Sequence, residues 1–298
     1  MTQDHLNRRD VLLMGSGVMA AAVAPYPASA SSVDEDLAAI EARAGGRLGV
    51  CVIDTGRASV VGHRFHERFA MCSTFKLSLA AAILEQADAG ALSLDMMVRY
   101  GADDIVANSP VTQANLAAGS MSVRALAEAT QKTSDNTAAN LLLKLIDGPE
   151  GLTRFYRRHG DSVTRLDRFE PDLNAFTIDD PRDTTTPRAH AGLLVRFLTK
   201  PVLSKASFAL LTQWMVDTKT GLKRIRAGLP EGWRAGDKTG TGLPGKYNDI
   251  AICWPPGRMP VVITAYYHSP SDSLDIRDED ERVIADAARV VAGWVLGA

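Results

Sequence analysis

The segment Ser73-Thr74-Phe75-Lys76-Leu77-Ser-Leu-Ala-Ala-Ala-Ile-Leu-Glu-Gln-Ala-Asp-Ala89-Gly90 determines how this chain is expected to fold. Its helical part, from Leu77 to Ala89, is apolar on all sides rather than along one stripe. A helix with that pattern lies inside a protein and not on its surface. Gly90 marks its end as a glycine C-cap. The rest of the chain is therefore expected to pack around this one central helix.

Helical patterns continue after this segment, to about residue 215. Further helices are predicted over Ser122–Lys132, Thr137–Ile146 and Pro187–Leu198, with loops between them. A last amphipathic helix near the C-terminus carries its apolar residues on one side, at Val283, Ile284, Ala287, Val290, Val291 and Trp294.

Strand patterns lie towards the two ends of the chain. Leu48–Asp54, a turn at Thr55-Gly56 and Ala58–Arg64 predict a β-hairpin. Later strands are predicted at Trp233–Thr241, Asp249–Trp254 and Val261–His268. The simplest solution is an α/β fold of the α+β type, in which a mostly antiparallel five-stranded sheet from both chain ends is flanked by helices and holds an inserted all-helical subdomain. The sheet subdomain would span about residues 31–66 and 216–298, and the helical subdomain about residues 67–215.

Residues 1–30 have the layout of an export signal. The arginine pair in Asn7-Arg8-Arg9-Asp10 precedes a Gly/Ala-rich apolar stretch that ends in Ala28-Ser29-Ala30. Small residues there are typical of a cleavage site, and the arginine pair indicates the twin-arginine route. The alternative is a membrane anchor, but Val11 to Ala24 is short and glycine-rich for a bilayer span. We expect removal after Ala30 and a periplasmic or secreted protein with no membrane contact after cleavage.

Composition excludes several functional classes. The 298 residues are 46% hydrophobic, which is enough for a sizeable core, and the net charge of −2 gives no basis for a nucleic-acid partner. Cys51, Cys72 and Cys253 form no C-x-x-C pair, so no disulfide framework is expected. No His, Cys and carboxylate cluster has zinc spacing, and no metal or cofactor is predicted.

Ser73 and Lys76 at the start of the central helix form an S-x-x-K motif. Residues three apart lie on one helix face, and a helix N-terminus favours an alkoxide and a developing oxyanion. The ordinary alternative makes Ser73 a helix cap and Lys76 a solvated residue. The apolar neighbours of Lys76 argue against that alternative, because buried lysines are rare without a partner. Ser73 is the candidate nucleophile.

Three more segments complete a set of four: Ser134-Asp135-Asn136, Glu170-Pro171-Asp172-Leu173-Asn174 and Lys238-Thr239-Gly240. Taken singly, they fit a capping turn, an exposed charged loop and a strand. In this order and spacing, together with the S-x-x-K motif, they resemble the class A serine β-lactamases, and the resemblance extends from about Leu37 to the C-terminus. The segment Gly240–Lys246 also fits the first part of a phosphate-binding loop, but a strand follows it, so a hairpin turn is predicted.

The resemblance implies a serine hydrolase that opens the β-lactam ring through an acyl-enzyme on Ser73. Ser134 would relay a proton to the leaving amide nitrogen, and Glu170 would activate the water that hydrolyses the acyl-enzyme. Lys76 and Glu170, the latter through water, both qualify as the base for Ser73, and the choice stays open.

The resemblance also implies supporting residues around the catalytic groups. Asn136 would bond the lysine and a substrate side-chain amide, and Asn174 would help to hold the hydrolytic water. Asp135 is expected to tie its loop to neighbouring backbone. Arg168 and Asp183 would clasp the two ends of the loop that carries Glu170.

Substrate binding is expected along the strand after Asp237. Lys238 and Thr239 would bind the carboxylate that β-lactams carry, and the N–H of Thr241 would complete the oxyanion hole with that of Ser73. Gly240 would let a ligand approach the strand closely. Arg224 aligns with an arginine that some members use as a second carboxylate anchor, with a surface charge as the alternative. Tyr247 occupies the place of that arginine in other members.

Two rival functions share parts of this pattern. A cell-wall peptidase of the penicillin-binding kind has S-x-x-K and K-T-G, but Glu170 and Asn174 argue against it. A catalytically inactive binding or sensor domain is expected to lose at least one motif, and all four are present.

Substrate breadth depends on a few departures from common family patterns. Asn108 stands where many members carry an aromatic residue at the site entrance, and Thr241 replaces a frequent alanine. Some carbapenem-hydrolysing members join the residue before the nucleophile to a cysteine two positions past K-T-G. Those positions hold Cys72 and Gly242 here, so that disulfide cannot form. We expect a monomer that hydrolyses penicillins and cephalosporins and gives antibiotic resistance. Carbapenem turnover stays open, because Thr241 could bond the substrate carboxylate without that disulfide.

Overall fold

The computed structural model describes residues 30–297, so the predicted export signal lies outside the described residues, apart from Ala30. The helices are α1 (Ala30–Ala44), α2 (Phe75–Asp88), α3 (Pro110–Ala114), α4 (Val123–Lys132), α5 (Asn136–Lys144), α6 (Gly148–Arg158), α7 (Pro187–Thr199), α8 (Lys205–Val216), α9 (Ile225–Gly228) and α10 (Asp278–Leu296). The strands are β1 (Arg47–Asp54), β2 (Ser59–His63), β3 (Phe69–Ala70), β4 (Met97–Arg99), β5 (Ser120–Ser122), β6 (Thr184–Thr185), β7 (Arg234–Gly242), β8 (Lys246–Trp254) and β9 (Val261–His268). Within residues 30–297, no helix combines the length and apolar character that crossing a membrane requires.

The main sheet contains five antiparallel strands in the order β2-β1-β9-β8-β7. Two of them form the N-terminal hairpin, and three come from the C-terminal part of the chain. The pairing of β1 with β9, which sets Arg47 opposite His268, joins the two ends. The predicted antiparallel five-stranded sheet built from both chain ends is confirmed. Between β7 and β8, residues 243–245 make the predicted hairpin turn.

The inserted helices pack on one face of this sheet. Helix α2 lies within their apolar core, and each of its residues from Phe75 to Leu84 is buried. Gly90 has a φ of +71°, which glycine adopts without a Cβ clash, and it follows the last turn of the helix. The predicted buried central helix is therefore confirmed.

A second apolar core covers the opposite face of the sheet, beneath α1 and α10. Val50 and Val52 of β1 belong to this second core, whereas Cys51 between them belongs to the first. That alternation is what a strand with two covered faces requires, because successive side chains point to opposite sides. Leu37 of α1 and Ile284 of α10 contribute from the helices.

Several elements differ from those predicted, and three of the differences concern the sheet and the site. Helix α1 precedes the hairpin, where no helix was predicted. Helix α2 begins at Phe75 rather than Ser73, because the preceding residues form a 3-10 turn. Strand β8 begins at Lys246 rather than Asp249, because its pairing with β7 continues to Gly242.

Candidate active site

The candidate nucleophile lies on a short turn that strand β7 holds in place. Ser73 is the middle residue of the 3-10 turn Cys72–Thr74, and Thr74, not Ser73, is the N-cap of α2. A Cβ added to Gly240 of β7 would lie 2.7 Å from the Met71 carbonyl oxygen and 3.2 Å from the Ser73 nitrogen. Glycine at this position therefore lets the strand pack against the turn. On the side to which its Cβ would point, Gly240 therefore faces this turn, and the approach of a ligand to the strand stays a prediction.

The Lys76 ammonium lies directly beside the Ser73 hydroxyl. Its Nζ is 2.9 Å from Ser73 Oγ, 2.8 Å from the carbonyl oxygen of Ser134 and 3.0 Å from Glu170 Oε1. Lys76 is fully buried, which rules out the solvated alternative. Burial lowers the pKa of Lys76, and the negative charge of Glu170 opposes that shift. Its Nζ also donates to Asn136 Oδ1.

The Glu170 carboxylate contacts the same hydroxyl and the Lys76 ammonium beside it. Ser73 Oγ donates to Glu170 Oε1 over 3.3 Å, a direct contact where the sequence interpretation placed a water. Asn174 Nδ2 donates to Glu170 Oε2 over 2.7 Å, and the Asn174 Oδ1 is enclosed with no hydrogen-bond partner in residues 30–297. Asn140 holds the Glu170 backbone by two bonds of 2.9 Å, one to its N–H and one to its carbonyl oxygen.

The loop from Arg165 to Asp183, here called the Glu170 loop, is closed by a buried carboxylate. Asp183 accepts from Arg168 Nε at 2.6 Å and from the backbone N–H groups of Asp167 and Arg168 at 2.7 and 3.0 Å. The predicted clasp between Arg168 and Asp183 is confirmed. Burial raises the pKa of Asp183 while these donors oppose the shift, so the clasp is more than an exposed surface pair.

Ser134 lies in the turn between α4 and α5 with a φ of +59°. Its Oγ is 3.1 Å from Lys238 Nζ and 3.3 Å from Lys76 Nζ, so one hydroxyl contacts both candidate cations of the site. Asp135 accepts from the backbone N–H groups of Ala138, Val111 and Thr112, as its expected structural role requires. These contacts fix the turn that presents Ser134 to the two lysines.

Strand β7 supplies a second buried ammonium. Lys238 is fully buried, and burial together with the charge of Lys76 lowers its pKa to about 7. Its Nζ also donates to the Thr239 carbonyl oxygen over 2.8 Å. The Thr239 hydroxyl bonds that of Thr220 at 2.7 Å.

Arg224 is buried rather than on the surface. Its guanidinium donates to Glu281 Oε1 at 3.0 Å and to Thr241 Oγ1 at 2.7 Å, and it also binds the carbonyl oxygens of Gly240 and Asn248. The surface-charge alternative is wrong. Because these contacts occupy most of its five N–H donors, Arg224 reaches the site chiefly through the Thr241 hydroxyl.

The positions singled out for substrate breadth border the same site. Asn108 is exposed and donates from Nδ2 to the carbonyl oxygen of Ser134 over 3.2 Å. Cys72 is a buried free thiol whose pKa burial raises to about 12. A Cβ added to Gly242 would lie 2.8 Å from Cys72 Sγ, so the two positions are neighbours even though no disulfide joins them.

Two residues that hold the site were missed from the sequence. Asn140 lies one helical turn after Asn136 on α5, so its spacing was a usable signal. Glu281 is buried on α10, three residues before the core residue Ile284, and a carboxylate on an apolar helix face was also visible. Among residues 30–297, no three His, Cys, Asp or Glu side chains converge as metal ligands would.

Known proteins with a similar sequence share most of this chain's length. Beta-lactamase L2 of Stenotrophomonas maltophilia is 44% identical over 94% of this chain and 91% of its own length. Beta-lactamase CTX-M-8 of Citrobacter amalonaticus is 41% identical over 94% of this chain and 92% of its own.

Solved structures are similar in fold as well as in sequence. The crystal structure of a beta-lactamase from Burkholderia vietnamiensis matches with a TM-score of 0.86 and 48% identity, covering 90% of this chain and 97% of that one. An ancestral class A beta-lactamase matches with a TM-score of 0.83 and 51% identity, covering 87% and 98%. The model of the beta-lactamase enzyme family matches residues 32–295. With its fold, its site and these relatives in agreement, the chain belongs to the beta-lactamase enzyme family, within class A.

Proposed function

We propose that this protein hydrolyses the β-lactam ring of penicillins and cephalosporins through an acyl-enzyme on Ser73, and so gives antibiotic resistance. One observation carries the mechanism. The Ser73 hydroxyl lies 2.9 Å from Lys76 Nζ and 3.3 Å from Glu170 Oε1, two buried groups that can accept its proton.

In the acylation step, Ser73 Oγ attacks the carbonyl carbon of the ring, and its proton passes to Lys76 or to Glu170. The carbon–nitrogen bond of the ring then breaks, and the nitrogen takes a proton from the Ser134 hydroxyl. Lys76 Nζ lies 3.3 Å from that hydroxyl and 3.0 Å from Glu170 Oε1, so the proton taken from Ser73 returns to Ser134 through Lys76 whichever group accepted it first. Glu170 is then a carboxylate again before deacylation. The backbone N–H groups of Ser73 and Thr241 would stabilise the negative oxygen of the intermediate.

In the deacylation step, Glu170 takes a proton from water, and the resulting hydroxide attacks the ester on Ser73. The ester bond breaks, Ser73 Oγ takes back the proton that Glu170 holds, and the opened product leaves with Glu170 again a carboxylate. Asn174 supports this role, because its Nδ2 binds the Glu170 carboxylate at 2.7 Å and its Oδ1 is enclosed with no donor in residues 30–297. That oxygen can accept from the attacking water.

Substrate recognition is proposed at the other end of the site. Lys238 and the Thr239 hydroxyl would bind the substrate carboxylate, with the Thr241 hydroxyl beside them. Arg224 would contribute by orienting Thr241, because its Nη2 donates to Thr241 Oγ1 at 2.7 Å. Asn136 would bind the side-chain amide of the substrate.

Two variants test the mechanism. Ser73→Ala should abolish turnover, and peptide mass spectrometry of the digested wild type after reaction with a slow substrate should show an adduct on the peptide that contains Ser73. Glu170→Ala should acylate yet fail to deacylate, so its adduct should persist after mixing with a penicillin. An adduct on another peptide, or normal multiple turnover by Glu170→Ala, would refute these assignments.

Export and assembly are proposed on sequence grounds. The arginine pair Arg8-Arg9 and the small residues up to Ala30 support a cleaved signal over residues 1–30, followed by one catalytic domain over residues 31–298. Its sheet part would span about residues 31–66 and 216–298, around the helical part at about residues 67–215. The exported protein should begin at Ser31 by mass and should sediment as a monomer from the periplasm or the medium.

A further inference from the structure

The Glu170 loop touches the main sheet through a pair of aromatic rings. Phe176 packs against the imidazole of His268, with ring centroids 4.8 Å apart and planes inclined at 62°. This edge-to-face arrangement is the favourable one for aromatic rings. His268 is the last residue of β9, so the contact joins the far side of the loop to the end of a core strand.

The His268 ring behaves as an apolar platform. It packs on a second side against Phe69, with centroids 5.1 Å apart, and its Nε2 is enclosed without a hydrogen-bond partner in residues 30–297. Burial, with the positive charges of Arg47 and Lys246 opposite it in the sheet, lowers its pKa to about 3. The imidazole is therefore neutral at neutral pH, and it can pack against rings without a charge to solvate.

Phe176 differs from its neighbours in the Glu170 loop by its burial. Among residues 175–179, it is half-buried whereas the other four are exposed. The polar contacts that fix the loop include the clasp of Arg168 and Asp183, the grip of Asn140 on Glu170 and, within this stretch, the bond from Arg168 to the Ala175 carbonyl oxygen. None of these three contacts reaches the main sheet. The aromatic contact is therefore what seats this stretch of the loop on the sheet.

Phe176 lies close in sequence to Asn174, the residue that binds the Glu170 carboxylate. Asn174, two positions earlier, donates to Glu170 Oε2 at 2.7 Å, and the carbonyl oxygen of the intervening Ala175 accepts from Arg168 at 2.6 Å. A shift of Phe176 away from the sheet would thus be transmitted to Asn174 over two residues of backbone. The groups that would move are those proposed to hold the hydrolytic water.

We propose that Phe176 and His268 are positioning residues for deacylation, forming an aromatic anchor that holds Asn174 and the Glu170 carboxylate in register with the acyl-enzyme. This inference rests on the proposed function of Glu170. Ser73 lies on the 3-10 turn before α2, Lys76 on α2 and Ser134 on the turn between α4 and α5, and their contacts with one another involve neither anchor residue.

The test separates the two half-reactions with single-turnover kinetics. Phe176→Ala should lower the deacylation rate constant about threefold to tenfold, as the loss of one aromatic contact implies. The acylation rate constant should fall by less, because only deacylation uses the water that Asn174 is proposed to hold. In the steady state, kcat and KM should fall together, and kcat/KM should change less than kcat. Ile178→Ala, which truncates a side chain 66% exposed in the same loop, is the matched control and should change neither constant.

A second pair of variants guards against general loosening of the fold. His268→Ala should reproduce the deacylation defect, whereas His268→Phe, which keeps a neutral ring at that position, should restore it. The anchor is refuted if Phe176→Ala deacylates like the wild type, or if it slows acylation to the same extent as deacylation. If the wild type forms no adduct on Ser73, the proposed function is refuted, and so is the proposal of an aromatic anchor that depends on it. Accumulation of adduct by Glu170→Ala but not by Phe176→Ala would refute the anchor alone.

Discussion

Lys76 has three N–H donors, yet its Nζ lies within 3.3 Å of oxygens on Ser73, Ser134, Asn136 and Glu170. So many acceptors favour the ammonium, whereas complete burial favours the neutral amine and lowers the pKa of the residue. The two effects oppose each other at the atom beside the nucleophile. Both Lys76 and Glu170 therefore stay candidates for the base that activates Ser73.

Lys238 gives a pH prediction at the same scale. Its lowered pKa, about 7, means that the ammonium is present below that pH and lost above it. If Lys238 binds the substrate carboxylate, KM for a carboxylate-bearing penicillin should rise as pH increases from about 6 to about 9. Lys238→Arg keeps its charge throughout this range and should show no comparable rise. A wild-type KM that stays constant across the range would contradict the binding role.

Residue identities in the site were predictable from the sequence, but their partners were not. Ser73, Lys76 and Ser134 come from short motifs and meet in the structure. The partner of Arg224 is 57 residues away at Glu281, a separation at which no local pattern specifies contact. Gly240 shows a second limit of prediction from sequence. Its glycine indicated a close approach to the strand, but only the fold shows that the Ser73 turn is a close neighbour there.

Asp135 connects two helices at their N-termini. Its carboxylate caps α5 through the N–H of Ala138 at 2.8 Å and accepts from the N–H groups of Val111 and Thr112 in α3, both at 2.9 Å. Asp135→Ala leaves these buried donors unpaired and should lower the free energy of unfolding by about 1–3 kcal/mol. It should also slow acylation, because Ser134 precedes it in the chain.

Chemical denaturation and single-turnover acylation measure the two effects of Asp135→Ala. Asp135→Asn is the matched control, because its Oδ1 can still cap Ala138 while it loses one acceptor, and it should lie between the wild type and the alanine variant. Full stability in Asp135→Ala would show that the carboxylate does not join the two helices.

Element types followed from the sequence more reliably than element ends. Val33, Leu37 and Ile40 of α1 recur at helical spacing and are buried, so their apolar spacing was a usable signal for this helix. Strand β8 starts at Lys246, within a polar stretch that no apolar alternation marks. Its start is fixed by pairing of Lys246 with Gly242 across the hairpin, which is a tertiary property.

The whole molecule is organised as two apolar cores separated by one sheet. Leu37 is fully buried in the core beneath α1 and α10, on the face opposite the helices that carry the catalytic groups. Leu37→Ala should lower the free energy of unfolding by about 2–5 kcal/mol, the range for such truncations in a packed core. Well below the unfolding temperature, kcat should be unchanged, because the sheet lies between the two faces.

Thermal unfolding with kcat measured in parallel tests this separation. Leu296→Ala, at a position 49% exposed on α10, is the control and should shift stability by no more than about 0.5 kcal/mol. A fall in kcat for Leu37→Ala in the folded protein would mean that the second core contributes to the geometry of the site.

The close packing of Gly240 against the Ser73 turn bears on how this enzyme can evolve. A side chain at Gly240 would overlap the Met71 carbonyl oxygen, and the first ten residues of α2 are buried. Substitutions at Gly240 or in this part of α2 would disturb the packing, so they are selected against, whichever antibiotic is present. Asn108 and Ile178 are exposed, the first beside the Ser134 turn and the second in the Glu170 loop, and they face no such constraint. Under drug selection, we expect adaptive substitutions to accumulate at exposed positions such as these two. Helix α2, which follows the Ser73 turn, should remain the least variable part of the lineage.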